Sequence, residues 1–93
     1  MLSFQQKESI KEILNKYKPS LIGVFGSYAR NEEKLSSDID ILIDSQKRIN
    51  LIELIGLEQE LSEMLGIKVD LVTLKSVNEK LKPYIEKDLI RII

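Results

Sequence analysis

Apolar residues recur at helical spacing through Ile10, Ile13, Leu14 and Tyr17 until Pro19 stops the run, and Ser3 with Gln6 three residues on forms a capping-box signature ahead of them. This predicts a helix over residues 4–17. Residues 21–25 are apolar and rich in strand formers, and the run stops at Gly26, where a residue without a Cβ turns sharply at low cost. The polar stretch 31–36 reads as a loop whose Glu32, Glu33 and Lys34 are solvated. Residues 38–43 then alternate strictly, as a strand does. After a polar connection over 44–49, Asn50 and Glu53 cap an amphipathic helix that carries Leu51, Leu54, Ile55, Leu57, Leu61, Met64 and Leu65 and is closed by Gly66. Residues 67–74 read as a third strand, interrupted by Asp70. A turn over 76–79, a short helix over 83–88 begun by Pro83, and an edge strand over 89–93 complete the order. With no internal repeat or linker, this order belongs to a single α+β domain spanning 1–93, one mixed sheet with helices packed on one face.

The chemistry concentrates between Leu21 and Ile43. Alternation places Asp38, Asp40 and Leu42 on one side of the second strand and Ile39, Ile41 and Ile43 on the other. Carboxylates two residues apart on a strand face stand roughly 6 to 7 Å apart and repel by about 2 to 3 kcal/mol at an effective dielectric near 20. A cation would offset that repulsion. Mg2+ prefers oxygen ligands, keeps several waters, and is held by one or two carboxylates together with substrate phosphates. Gly26 and Ser27, beside a turn able to open a short helix over 27–30, offer backbone N–H groups, a hydroxyl and the Arg30 guanidinium to those phosphates. Both halves suit one ligand, a metal-bound nucleoside triphosphate.

Composition narrows the alternatives. The 93 residues include no cysteine and no histidine, which removes disulfides, thiolate metal sites, imidazole bases and Ser-His-Asp triads. What is left for chemistry is carboxylate, hydroxyl, Lys, Arg and Tyr. With 14 basic and 15 acidic residues the formal net charge is -1, too balanced for strong nonspecific nucleic-acid or membrane binding. The first ten residues lack the apolar core of a signal peptide, and no apolar run approaches membrane-spanning length, so a cytoplasmic location is expected.

Taken together, Gly26-Ser27-Tyr28-Ala29-Arg30, Ser37-Asp38-Ile39-Asp40-Ile41 and Val69-Asp70-Leu71-Val72 resemble the minimal nucleotidyltransferases of the DNA polymerase beta superfamily, over nearly the whole chain. The resemblance implies a palm-like nucleotidyltransferase fold, a small mixed or antiparallel sheet flanked by helices. It implies that Gly26 and Ser27 hold the triphosphate, with Arg30 and Ser37 in the same nucleotide-binding set. It further implies that Asp38 and Asp40 bind two Mg2+ ions, and that Asp70 completes one metal site near the attacking hydroxyl. Asn31 stands where relatives commonly carry Gly, a mild departure because Asn tolerates the left-handed region best among the other residues.

Each piece alone has a plainer reading. Asp38 and Asp40 suit the wet face of a half-exposed strand, Asp70 suits a partner of Lys68, and Arg30 suits an ion pair with Glu32, Glu33 or an aspartate. Tyr28 suits packing, and Asp44 lies at a strand end on the surface. The expected activity is transfer of AMP from ATP to a hydroxyl. Because the chain has no acceptor lobe, the resemblance points to a HEPN-type toxin partner, adenylylated on a tyrosine, with this chain as antitoxin in a hetero- or homo-oligomer. Two alternatives stand beside it: an antitoxin that acts by contact alone, and the catalytic subunit of a small-molecule nucleotidyltransferase of the antibiotic-modifying kind.

Overall fold

Ser3 opens the first helix as expected: its hydroxyl accepts the Gln6 N–H at 3.1 Å, and the Gln6 side chain accepts the Ser3 N–H at 2.8 Å. The computed structural model describes residues 2–32, 34 and 37–93. Helix α1 covers Phe4–Leu14, and the next turn, Asn15–Tyr17, tightens to 3-10 geometry. Pro19 disfavours the right-handed helical region for the residue before it, and Lys18 adopts φ 50 instead. Strand β1, Pro19–Phe25, begins two residues earlier than the apolar run because proline is tolerated at a strand's first position.

Strand β2, Ile39–Ser45, returns antiparallel to β1. Helix α2, Leu51–Leu65, has the reciprocal Asn50 and Glu53 cap and ends on Gly66 at φ 69. It carries the chain to β3, Val69–Thr73, which lies parallel to β2, the crossover that parallel strands require. A 3-10 turn at Leu74–Ser76 precedes helix α3, Lys82–Asp88, and the two-residue strand β4, Ile90–Arg91, which pairs antiparallel with β1. The mixed sheet runs β3-β2-β1-β4. Of the predicted polar loop 31–36, Glu33, Leu35 and Ser36 lie outside the described residues. No helix among the described residues is long and apolar enough to cross a membrane.

One face of the sheet presents Ile22, Val24, Ile39, Ile41, Ile43, Val69 and Leu71, and these pack with Ile10, Leu14, Leu57 and Leu61 from α1 and α2. Burying each such side chain contributes about 1.5 to 3 kcal/mol. The expectation that all helices share one face is corrected by the opposite face. There Leu42 is buried beside Leu74, Val77 and Ile85, so α3 covers the side from which Asp40 also projects. Gly23 makes room for this layer, since a Cβ there would sit 2.9 Å from Leu89 Cγ. The short β3 edge is guarded by α2: the Val69 N–H donates to Ser62 Oγ at 2.9 Å and the Leu71 N–H to Glu58 Oε2 at 2.8 Å.

Candidate active site

Three neighbouring strands bring the candidate residues together. In the β1/β2 register Phe25 lies opposite Asp40, which puts Gly26, the residue just after β1, beside that carboxylate. In the β2/β3 register Asp40 lies opposite Asp70. Neighbouring strands are about 4.8 Å apart, and paired residues of a parallel ladder send their side chains to the same face. Asp40 and Asp70, 30 positions apart in sequence, are therefore adjacent on the face opposite the main core.

Gly26, at φ 77, is where the chain leaves the sheet, and a Cβ on it would overlap Asp40 Oδ2. Any side chain here would meet both the strained backbone and the carboxylate. The turn that follows closes on itself: the Arg30 N–H donates to Gly26 O at 3.1 Å and the Glu32 N–H to Ser27 O at 2.8 Å. The short helix expected over 27–30 is thus a hydrogen-bonded turn. Asn31 sits at φ 60, the left-handed conformation for which it is suited. Tyr28 and Ala29 pack against the core and anchor the turn from within, the packing role read for Tyr28.

Asp40 is half-buried, and burial pushes its carboxyl above the ordinary carboxylate pKa, with Asp70 and then Asp38 adding to the rise and Arg30 opposing it. Like charge accumulates here without full compensation. Asp38 stands just ahead of β2, with Lys68 Nζ 3.9 Å from its Oδ2. Lys68, a plausible partner for Asp70 in the sequence, thus reaches toward Asp38. Among the described residues no three acidic side chains converge closely enough to enclose a metal ion. The donor set nevertheless suits Mg2+: all-oxygen ligands, repelling one another, at an open turn where substrate phosphates can supply the remaining coordination. A cation shared with a ligand fits these residues better than a closed cage.

The other sequence candidates are placed as follows. Arg30 is engaged as an ion pair, Nη1 to Asp88 Oδ2 at 2.6 Å and Nε to Glu32 Oε2 at 3.3 Å. Ser37 forms a reciprocal turn with Lys34, its hydroxyl accepting the Lys34 N–H at 2.8 Å and its own N–H donating to Lys34 O at 2.9 Å. Asp44 is only partly buried at the far end of β2, remote from Asp40. Asp88 was not legible as part of this neighbourhood, because nothing local marks a helix-terminal aspartate as the partner of an arginine 58 positions earlier.

A polymerase beta nucleotidyltransferase domain matches residues 8–93. The chain belongs to that family. Among similar nucleotidyltransferases, a candidate protein adenylyltransferase of Methanocaldococcus jannaschii is 54% identical over 92 residues, covering 89% of this chain and 94% of the relative. A crystal structure of a toxin-antitoxin with AMP-PNP superposes with a TM-score of 0.86 at 29% identity, covering 94% of this chain and 72% of that one. A tri-AMPylated Shewanella oneidensis HEPN toxin in complex with its MNT antitoxin gives a TM-score of 0.79 at 27% identity, over 96% of this chain and 70% of that one. The nucleotidyltransferase fold seen here is thus one that occurs in toxin-antitoxin assemblies.

Proposed function

We propose that this nucleotidyltransferase is an antitoxin that transfers AMP from ATP to a tyrosine hydroxyl of a HEPN-type toxin. The observation that carries the reading is the register that sets Asp70 beside Asp40, with the Gly26 turn at the edge of the same pair. The Gly26–Ser27 backbone would hold the β- and γ-phosphates, with Ser37 close to the same strand entrance. Asp38, Asp40 and Asp70 would hold two Mg2+ ions, which supply charge neutralisation at the phosphates and activation of the acceptor. The acceptor oxygen forms a bond to the α-phosphorus in line with the departing bridge oxygen. The bond to the β-phosphate breaks, pyrophosphate leaves toward the Gly26 turn, and the hydroxyl proton passes to the Asp70 carboxylate. The relatives support a HEPN toxin as the acceptor protein and an adenine nucleotide as the donor: a structurally similar chain is held with an AMPylated HEPN toxin, and another toxin-antitoxin structure contains a nonhydrolysable ATP analogue. Residues 1–93 would form one nucleotidyltransferase domain, the partner supplying the acceptor surface in a cytoplasm rich in ATP and Mg2+.

Incubation with a HEPN-type toxin and α-labelled ATP tests the reading. The wild type labels the partner, and Asp40→Asn reduces labelling by at least about a hundredfold, the scale of losing one electrostatic group of a reaction centre. A contact-only antitoxin is the second reading, favoured by the apolar Leu51 and Ile52 side chains, 70% and 83% exposed on α2. Undiminished neutralisation by Asp40→Asn, with no label transferred by either protein, would establish that alternative.

A further inference from the structure

Asp88 ends α3, and the chain beyond it is pinned at once. Leu89 occupies the space that Gly23 leaves by lacking a side chain, and Ile90 and Arg91 pair with Val24 and Gly23 of β1. Strand β1 in turn runs directly into Gly26 and the turn that lies over Asp40. Arg30 closes the circuit: its backbone N–H holds Gly26 O, while its guanidinium reaches Asp88 Oδ2 at 2.6 Å. The turn is tied at its start by β1 and at its end by a charged contact to a carboxylate that β4 and Leu89 hold in register with that same strand. Asp88 is the less exposed member of the pair, 23% against 44% for Arg30.

We propose that Asp88 is a positioning residue of the nucleotide site: through Arg30 it clamps the Gly26–Asn31 turn in the shape that receives the phosphates. This rests on the nucleotide-binding reading given above and assigns the Arg30 guanidinium to the clamp instead of to the phosphates. An ion pair this open to water contributes little to global stability. Its effect belongs to the geometry of the turn, where ordering the loop before binding saves the cost of ordering it on binding.

Titration of the full chain with AMP-PNP and Mg2+ measures this without any acceptor, so it stands apart from the AMP-transfer assay. Asp88→Asn is expected to weaken nucleotide binding by about three- to tenfold, with Asp88→Glu restoring most of the loss. The melting temperature of Asp88→Asn is expected to stay within about 4 °C of wild type. Arg30→Gln should weaken binding to a similar degree, and the double variant no further, because both substitutions open one contact. Asp88→Asn binding as tightly as wild type, or more tightly, overturns the clamp, since a released Arg30 would then be serving the phosphates directly. Additive losses in the double variant, or a melting temperature that falls by more than about 4 °C, overturn it as well. A wild type that does not bind AMP-PNP with Mg2+ removes the nucleotide reading and the clamp together; a wild type that binds while Asp88→Asn is unaffected removes the clamp alone.

Discussion

Ionised Asp40 weakens the fold that displays it. Burial, Asp70 and Asp38 raise its carboxyl above the ordinary 3.8, so the folded chain holds this proton more tightly than the unfolded chain does. The stabilisation that comes with the proton is complete below the unfolded pKa and disappears as pH rises through the raised folded value. At neutral pH the apo protein therefore carries an unrelieved charge. Asp40→Asn should melt higher than wild type at pH 7 while losing AMP transfer, and thermal melts should show the difference shrinking as pH falls toward about 4. Mg2+ should raise the wild-type melting temperature at pH 7, less so in acid, where protons compete for the same oxygens. Gly26→Ala is expected to lower the melting temperature and to weaken binding of AMP-PNP with Mg2+, because it strains a positive φ and drives a methyl into Asp40.

At the scale of elements, α2 performs several tasks that its apolar stripe only partly announced. Leu57 and Leu61 fill the core, Asn50 and Glu53 close the N-terminus, and Glu58 with Ser62 covers the outer edge of β3. Leu61 is fully buried, so Leu61→Ala should cost about 2 to 5 kcal/mol by denaturant titration. Glu53 also accepts the Tyr17 hydroxyl at 2.8 Å, which ties the end of α1 to the start of α2. That hydrogen bond, with the Asn50 backbone contact, holds Glu53 below the usual carboxylate range. Its stabilisation is present above the unfolded pKa of 4.5 and is lost as pH falls through the folded value. Tyr17→Phe should flatten this acid limb, a change that melts of the two proteins below about pH 5 would detect.

For the whole molecule, what could be read along the chain and what could not divide at the range of the interactions. The capping boxes at Ser3 and Asn50, the strict alternation after Asp38 and the glycine turn at Gly26 are signals between residues a few positions apart, and each appears where its pattern put it. Some boundaries shifted by a few residues: α1 gives way to a 3-10 turn after Leu14, and β1 begins already at Pro19. Asp38, Asp40 and Asp70 were legible as residue types and the family resemblance implied a shared site, whereas the pairing of Asp40 with Asp70 follows from the β2/β3 register. The sequence by itself determined which segments are helix or strand and which side chains share a face, because helical and pleated periodicities are properties of consecutive residues. Only the tertiary structure decided that β3 runs parallel beside β2, that α3 covers the carboxylate face, and that Asp88 meets Arg30. Those outcomes depend on which distant surfaces bury each other most fully once the chain closes, and no local pattern carries that information.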